Sequence, residues 1–381
     1  MSEVYLAGVG MIPFGVHAER GLVDMASQAA ELALQSACLY PNRVDMGFFA
    51  SATAAPLFKD VTVGQNVFWQ LGINQIPIFN VENACTSGSA AFYLACNAIA
   101  AGQAQVAMVV GGEKMCVPEA GLLNSGATEL DTQLGLVTPA SFAMRAMRHM
   151  AEFGTTAEQM AAVAVKNRHH AALNPMAQFR KPISLDEVLS SPMIADPLTR
   201  LQCCPIADGA AAVALCSKEV AKTVPGALKV LAWTYGTGDY QNPQDMARWG
   251  TDYRTCAQAY ATAGLAPGEV DLIECHDAFT IGEILHYEAL GLCRPGQGGK
   301  LAASGETALG GRIPVNVSGG LLSRGHPPGA TGLAQIYELA VQLRNQAGER
   351  QVPGACTGLA HCMGGDKDGD SKSCTVIIIS N

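Results

Sequence analysis

Short apolar runs closed by glycine, proline or a charged residue alternate along this chain with longer stretches whose apolar positions return every three or four residues. The first pattern predicts buried strands and the second predicts helices with one or more buried faces. Strands are expected over 4–9, 46–50, 76–81, 105–110, 208–217, 228–235, 270–275, 313–317, 355–361 and 374–380. Helices are expected over 22–39, from the break after Cys85 to about Gly102, over 252–263, after Phe279 to Leu290, and over 330–346. Between about Lys114 and Arg200 the alternation lapses. Methionine, arginine and histidine become frequent there, which predicts a mostly helical insertion with helices over 139–153 and 156–173.

The stretches IFNVENACTSGSAAFYLACNAIAAG and VNVSGGLLSRGHPPGATGLAQIYELAVQL each run strand, Asn-Val, glycine-rich break, small-residue helix. This predicts two similar βαβ-rich halves, with their two central helix N-termini facing each other. The glycines of GVGMIPFG, near the start, have the wrong spacing for a dinucleotide fingerprint.

Composition narrows the class. At 381 residues the chain exceeds one ordinary core, so two domains or one composite α/β body is expected. With 49% hydrophobic residues, 15% charged residues and 41 glycines, it reads as a compact enzyme rich in tight turns. A net charge of −9 disfavours a general nucleic-acid binder. The start Met1-Ser2-Glu3 lacks a secretory leader's basic opening, and no apolar run reaches membrane-spanning length. Thirteen cysteines without CxxC pairs argue against a disulfide framework and for a reducing cytoplasm.

Four segments at predicted strand ends carry the candidate chemistry: Cys85 in NACTSG, His276 in HDAF, His326 in GHP and Cys362 in HCMGG. Cys85 falls where a strand meets a helix N-terminus, whose free N–H groups and dipole favour a thiolate. A cysteine is otherwise a small core hydrophobe, as most of the other twelve must be. The set of four supplies a mechanism: a thiolate needs a base, a thioester oxyanion needs N–H donors, and a carbon acid needs a second proton carrier. Within the insertion, His169, His170, Arg180 and Lys181 form a basic cluster suited to an anionic cofactor, with a solvated helix face as the ordinary alternative.

In this order and spacing, the motifs resemble those of the thiolase superfamily over the whole chain. The run NVSGGLLSRGHPPGATGLAQ and the HDxF motif are similar to the branch containing the thiolase domain of sterol carrier protein and archaeal acetoacetyl-CoA thiolases. The resemblance implies two similar βαβαβαββ halves, 1–225 and 226–381, in a five-layered αβαβα body. The insertion of about 114–205 would be a loop domain that covers the active site and contacts coenzyme A. It implies that Cys85 takes the acyl group, that His326 removes its proton and helps hold the thioester oxygen, and that Cys362 protonates and deprotonates the α-carbon. His276 replaces an asparagine that orients a water, and the N–H groups of Cys85 and Gly364 form an oxyanion hole. Coenzyme A is then a co-substrate, with Arg180, Lys181, His169, Ser318 and Gly319 as candidate contacts, and no metal or redox cofactor is expected. The implied activity is thiolysis of a 3-oxoacyl-CoA, or the reverse condensation, on substrates that extend in this branch to benzoylsuccinyl-CoA. A homodimer or higher oligomer is implied, and relatives of that kind work with a small zinc-ribbon/OB-fold protein. The alternatives are a condensing acyltransferase, a retro-aldolase subunit, or a silent scaffold that acts with a partner.

Two departures stand out. Ala278 occupies a position that is often cysteine in the sterol-carrier branch, whereas Cys362 is present where that branch often has asparagine. The acidic turn Asp366-Lys367-Asp368-Gly369-Asp370 lacks the glycine and glutamate spacing of a calcium loop and is expected to be an exposed hairpin.

Overall fold

The computed structural model describes residues 2–118, 126–241 and 245–381. Its first part runs β1 (Val4–Met11), α1 (Leu22–Ser36), β2 (Met46–Ala50), α2 (Ala54–Phe58), α3 (Val63–Gln70), β3 (Ile78–Val81), α4 (Ser87–Ala100) and β4 (Val106–Glu113). The insertion holds α5 (Leu130–Gln133), α6 (Thr138–Phe153), α7 (Ala157–Ala172), α8 (Leu185–Leu189) and a small ribbon of β5 (Met193–Ala195) and β6 (Leu198–Thr199). Residues 119–125 of the expected loop domain lie outside the described residues. Next come β7 (Gly209–Ser217), α9 (Lys218–Ala221), β8 (Leu228–Gly236), α10 (Gly250–Ala263), β9 (Leu272–Glu274), α11 (Thr280–Ala289) and α12 (Gly298–Ser304). The chain ends with α13 (Gly320–Arg324), α14 (Pro328–Leu343), β10 (Thr357–Lys367) and β11 (Asp370–Ser380).

The main strands join in the order β3-β2-β4-β7-β1-β8-β11-β10-β9. The first five belong to the N-terminal half and the last four to the C-terminal half. The seam between them is β1 against β8, with Val4, Tyr5 and Leu6 opposite Val230, Lys229 and Leu228. Side-chain alternation along each strand sorts residues into three cores. In β7, Ala210, Ala212, Ala214 and Cys216 face α1 and α3, whereas Ala211, Val213 and Leu215 face α4 and α14. In β11, Ile377 and Ile379 join that same central core, and Val376 and Ile378 pack outward on α10 and α11. The layers are therefore α1/α3, N-terminal strands, α4/α14, C-terminal strands and α10/α11, which is the five-layered αβαβα body expected.

Glycine brings the two central helices close together. A Cβ on Gly88 would sit 2.4 Å from the Gly329 carbonyl oxygen, and one on Gly332 would sit 2.7 Å from the Ser89 Cβ. Pro328 opens α14, where a missing N–H costs nothing. A capping box of Thr156 and Gln159 starts α7, as the sequence boundary suggested.

Three expected elements differ. The strand over 76–81, expected to be buried, is the edge strand β3, with Phe79 and Asn80 exposed. Residues 313–317 form no strand; the segment keeps one bridge, Val315 to Ile273, because Asn316 turns into the left-handed region at φ 57°. Its side chain then takes over the pairing, accepting the Cys275 N–H at Oδ1 (2.8 Å) and donating to Glu283. The strand expected over 355–361 does not end there but continues as β10 to Lys367. The hairpin beyond it is only partly exposed. Asp370 is buried and accepts from the Thr251 N–H (3.1 Å) and hydroxyl (2.8 Å) at the start of α10. Asp366 pairs at 3.0 Å with the buried Arg145 of α6 and accepts the Ser141 hydroxyl. The acidic turn is thus a clasp between the main body and the insertion.

Candidate active site

The loop from Glu82 to Thr86 leaves edge strand β3 and enters α4 through a tight turn, with Ala84 at φ 47°. Asn83 is fixed by Ser87 Oγ and by Tyr235, and the Thr86 hydroxyl donates to Asn83 O. Cys85, half-buried, therefore stands just ahead of the N-terminus of α4, on the central layer where the two halves meet. His326 lies between α13 and α14, behind Gly325 at φ 108°. Its Nε2 is 3.2 Å from Cys85 Sγ.

The tautomer of His326 follows from its other side. Nδ1 lies 2.8 Å from Thr331 Oγ1, whose single proton is already donated to Pro327 O at 2.9 Å. Thr331 must accept from Nδ1–H, so the Nε2 lone pair faces the thiol. Cys362 comes from β10 and its thiol donates to Cys85 O at 3.2 Å. His276 follows β9, with its ring edge-on to His326 at 5.3 Å between centroids and no hydrogen-bond partner on either ring nitrogen. Cys85, His276 and His326 each offer one ligand atom, and these lie within 4.8 Å of one another.

Burial sets the charge state. It pushes the Cys85 thiol up to about 12, helped by the nearby Glu113 and opposed by the N–H of Gly365. Burial, with Arg324 nearby, brings His326 down to about 3. Burial also pushes Cys362 well up and His276 well down. Desolvation thus works against the thiolate that a helix N-terminus favours. The site holds neutral thiol and neutral imidazole, so the proton must move as the sulfur attacks.

The oxyanion-hole glycine also needs refinement. Gly364 is a ladder residue opposite Ser373, whereas Gly365, at φ 69° and without a ladder partner, turns its amide toward the Cys85 sulfur. Of the expected CoA contacts, His169, Arg180 and Lys181 are exposed. Ser318 and Gly319 are not brought to the site: both are buried, and the Ser318 hydroxyl is engaged by Glu274 (2.5 Å) and Arg324 (2.9 Å). His170 is also buried, donating to Asn316 O and accepting the Leu309 N–H at Nε2 (2.9 Å), so both ring nitrogens are used in bracing the fold.

Sequence reasoning missed Thr331, although it stands in the GATG run five residues after His326. It also missed Glu113, which accepts from Ser51, Ala52, Thr53 and Gly329 and ties the 51–53 loop to α14. A buried group of Asp252, His286 and His361 behind the catalytic strands carries no local signal, because its members are far apart in sequence.

A thiol with an imidazole base, a second thiol and converging N–H donors, at the junction of two similar α/β halves, defines a covalent acyl-transfer enzyme. The Thiolase, N-terminal domain model matches residues 4–219 and the Thiolase C-terminal domain-like model matches residues 239–379, so the chain belongs to the thiolase family. It is 38% identical to the acetyl-CoA acetyltransferase of Methanothermobacter thermautotrophicus, over 96% of this chain and 97% of that one. It is 39% identical to the benzoylsuccinyl-CoA thiolase subunit BbsB of Thauera aromatica, over 95% of each chain. The Ltp2-ChsH2(DUF35) aldolase matches with a TM-score of 0.83 at 27% identity, covering 98% of this chain and 97% of that one. Human mitochondrial 3-ketoacyl-CoA thiolase, at 18% identity and a TM-score of 0.75 over 100% of this chain and 99% of that one, shares the fold. The chain is a CoA-dependent acyltransferase of the thiolase class. Among the described residues no helix is long and apolar enough to cross a membrane.

Proposed function

We propose that the enzyme cleaves a 3-oxoacyl-CoA, bulky or aromatic of the benzoylsuccinyl-CoA kind, into two acyl-CoAs through an acyl-Cys85 thioester, or runs the reverse condensation. The observation that carries this reading is the 3.2 Å approach of His326 Nε2 to Cys85 Sγ with the second thiol, Cys362, on the Cys85 carbonyl. Sulfur attacks the 3-oxo carbon as its proton passes to His326. The carbon–carbon bond then breaks, and Cys362 gives its proton to the departing α-carbon. The His326 proton passes to the Cys362 thiolate, so that neutral His326 can deprotonate coenzyme A; its thiolate takes the acyl group, and the freed Cys85 sulfur recovers that proton from His326. His276 and His326 hold the thioester oxygen, and the amides of Cys85 and the Gly364-Gly365 pair receive the other oxyanion. Exposed Arg180, Lys181 and His169 on the insertion are available to the CoA phosphates.

The relative named as a thiolase subunit and the neighbour named as a complex with a DUF35 protein support a small zinc-ribbon/OB-fold partner. β3 pairs only with β2 among the described strands and exposes Phe79, which supports a homodimer built across this edge. Family-model limits at 219 and 239 fit halves of 1–225 and 226–381, and the reduced cysteines fit a cytoplasmic enzyme.

Mass spectrometry after brief exposure to a panel of 3-oxoacyl-CoAs tests the reading. An acyl adduct on the Cys85 peptide, absent in Cys85→Ala and discharged by free CoA, is expected, and its mass names the acyl class. Carbon–carbon cleavage with no adduct, with a DUF35-type partner present, would move the assignment to a retro-aldolase.

A further inference from the structure

We propose that Cys85, His276 and His326 also form an inhibitory site for a soft divalent cation of the zinc type. Three observations point to it. The three ligand atoms lie within 4.8 Å of one another, and the Cys85 Sγ to His326 Nε2 distance is 3.2 Å. Tetrahedral zinc, with bonds of about 2.3 Å to sulfur and about 2.0 Å to nitrogen, sets such atoms roughly 3.5 Å apart. Both imidazoles have lone pairs to give. His326 is fixed with Nε2 unprotonated and its other N–H bonded to Thr331, the outer support usual for a metal-binding histidine. His276 is 3% exposed and without a partner on either ring nitrogen, so a cation would satisfy a buried polar group that the protein leaves unmet. Cys85 keeps partial exposure, which provides an entry path and an open fourth position for water.

Binding breaks the Cys85 S–H bond, forms a sulfur–metal bond and releases one proton to solvent. The sulfur lone pair and the His326 lone pair are then both occupied, so neither attack nor proton removal can occur. The binding step rests on geometry alone; the inhibition rests on the acyl-transfer reading.

Titration of the metal-free protein with Co²⁺, followed by thiolate-to-cobalt charge-transfer absorption, tests it. One saturable equivalent, release of about one proton and displacement by Zn²⁺ are expected. Cys85→Ser should abolish the band, and His276→Asn should keep it with affinity at least about tenfold weaker. Protein already acylated on Cys85 should show no band. X-ray absorption of the wild-type zinc complex reads the ligands independently of any variant, with one sulfur and two imidazoles expected. No band, a band that survives Cys85→Ser, unchanged affinity in His276→Asn, or zinc without a sulfur ligand would each overturn the site. A band without any acyl adduct in the mass-spectrometric assay would instead sink the acyl-transfer reading and leave the metal site standing.

Discussion

Thr331 bonds His326 on the side away from the Cys85 sulfur, and so decides which nitrogen of His326 is basic. Replacing it by valine keeps shape and removes the acceptor for Nδ1–H, so the wrong tautomer becomes accessible. We expect kcat to fall by about tenfold or more with KM little changed in steady-state kinetics; a KM effect alone would refute the role. His170 makes a second residue-level prediction. Burial, with Lys166 nearby, brings its imidazole from 6.5 down to about 4, and both ring nitrogens are used in the neutral form. A depressed folded value means that its stabilisation is complete above pH 6.5 and is lost as pH falls toward 4. The span corresponds to roughly 3 to 4 kcal/mol. Urea midpoints between pH 7 and 4.5 should therefore fall more steeply for the wild type than for His170→Gln, and parallel curves would contradict the assignment. Cys85 and His326 each sit in a short glycine-bearing break ahead of a helix, a signal the sequence carries, whereas His276 after β9 and Cys362 within β10 were singled out only by their motifs. His170 and Ser318 were misread because sequence gives residue type and not depth: a histidine beside Lys166 and Arg168 looks cationic until it is found beneath Asn316.

At the scale of elements, the helices and most strands follow directly from their periodicity, and the exceptions share one cause. In 313–317 a side chain replaces backbone pairing, and in 366–370 side chains tie a paired hairpin to neighbouring helices, which no hydrophobic pattern reports. Asn316 substitutes its amide for a ladder, and Asp366 and Asp370 carry the insertion and α10. Arg145, fully buried against Trp249 with its guanidinium 4.4 Å from the ring centroid, depends on Asp366 for its counter-charge. Asp366→Asn should leave that cation uncompensated at a cost of about 2 kcal/mol, discounted for the partial exposure of Asp366. Hydrogen exchange should quicken first in α6 and only later in the sheet. Uniform quickening would mean that the clasp is not local.

For the whole molecule, the doubled architecture was visible in the two parallel stretches around Asn83 and Asn316, whereas the seam was not. Val4–Leu6 against Leu228–Val230 depends on which edges remain after each half has formed, a property of topology and not of local pattern. The outer edge, β3, leads to a prediction about assembly. Phe79→Asp puts a charge on the exposed edge and should shift sedimentation from dimer toward monomer, while a dimer that survives it would place the contact elsewhere. The neutral resting state of Cys85 has a consequence for the enzyme's working life. Peroxide and electrophiles attack thiolates, and a thiol held up to about 12 presents almost none until substrate arrives. Idle enzyme should therefore outlast an ordinary exposed cysteine under oxidative stress, with peroxide inactivation slow at rest and slower still while Cys85 carries an acyl group. Protonated when idle and capped when loaded, the sulfur offers oxidants little opening at either stage.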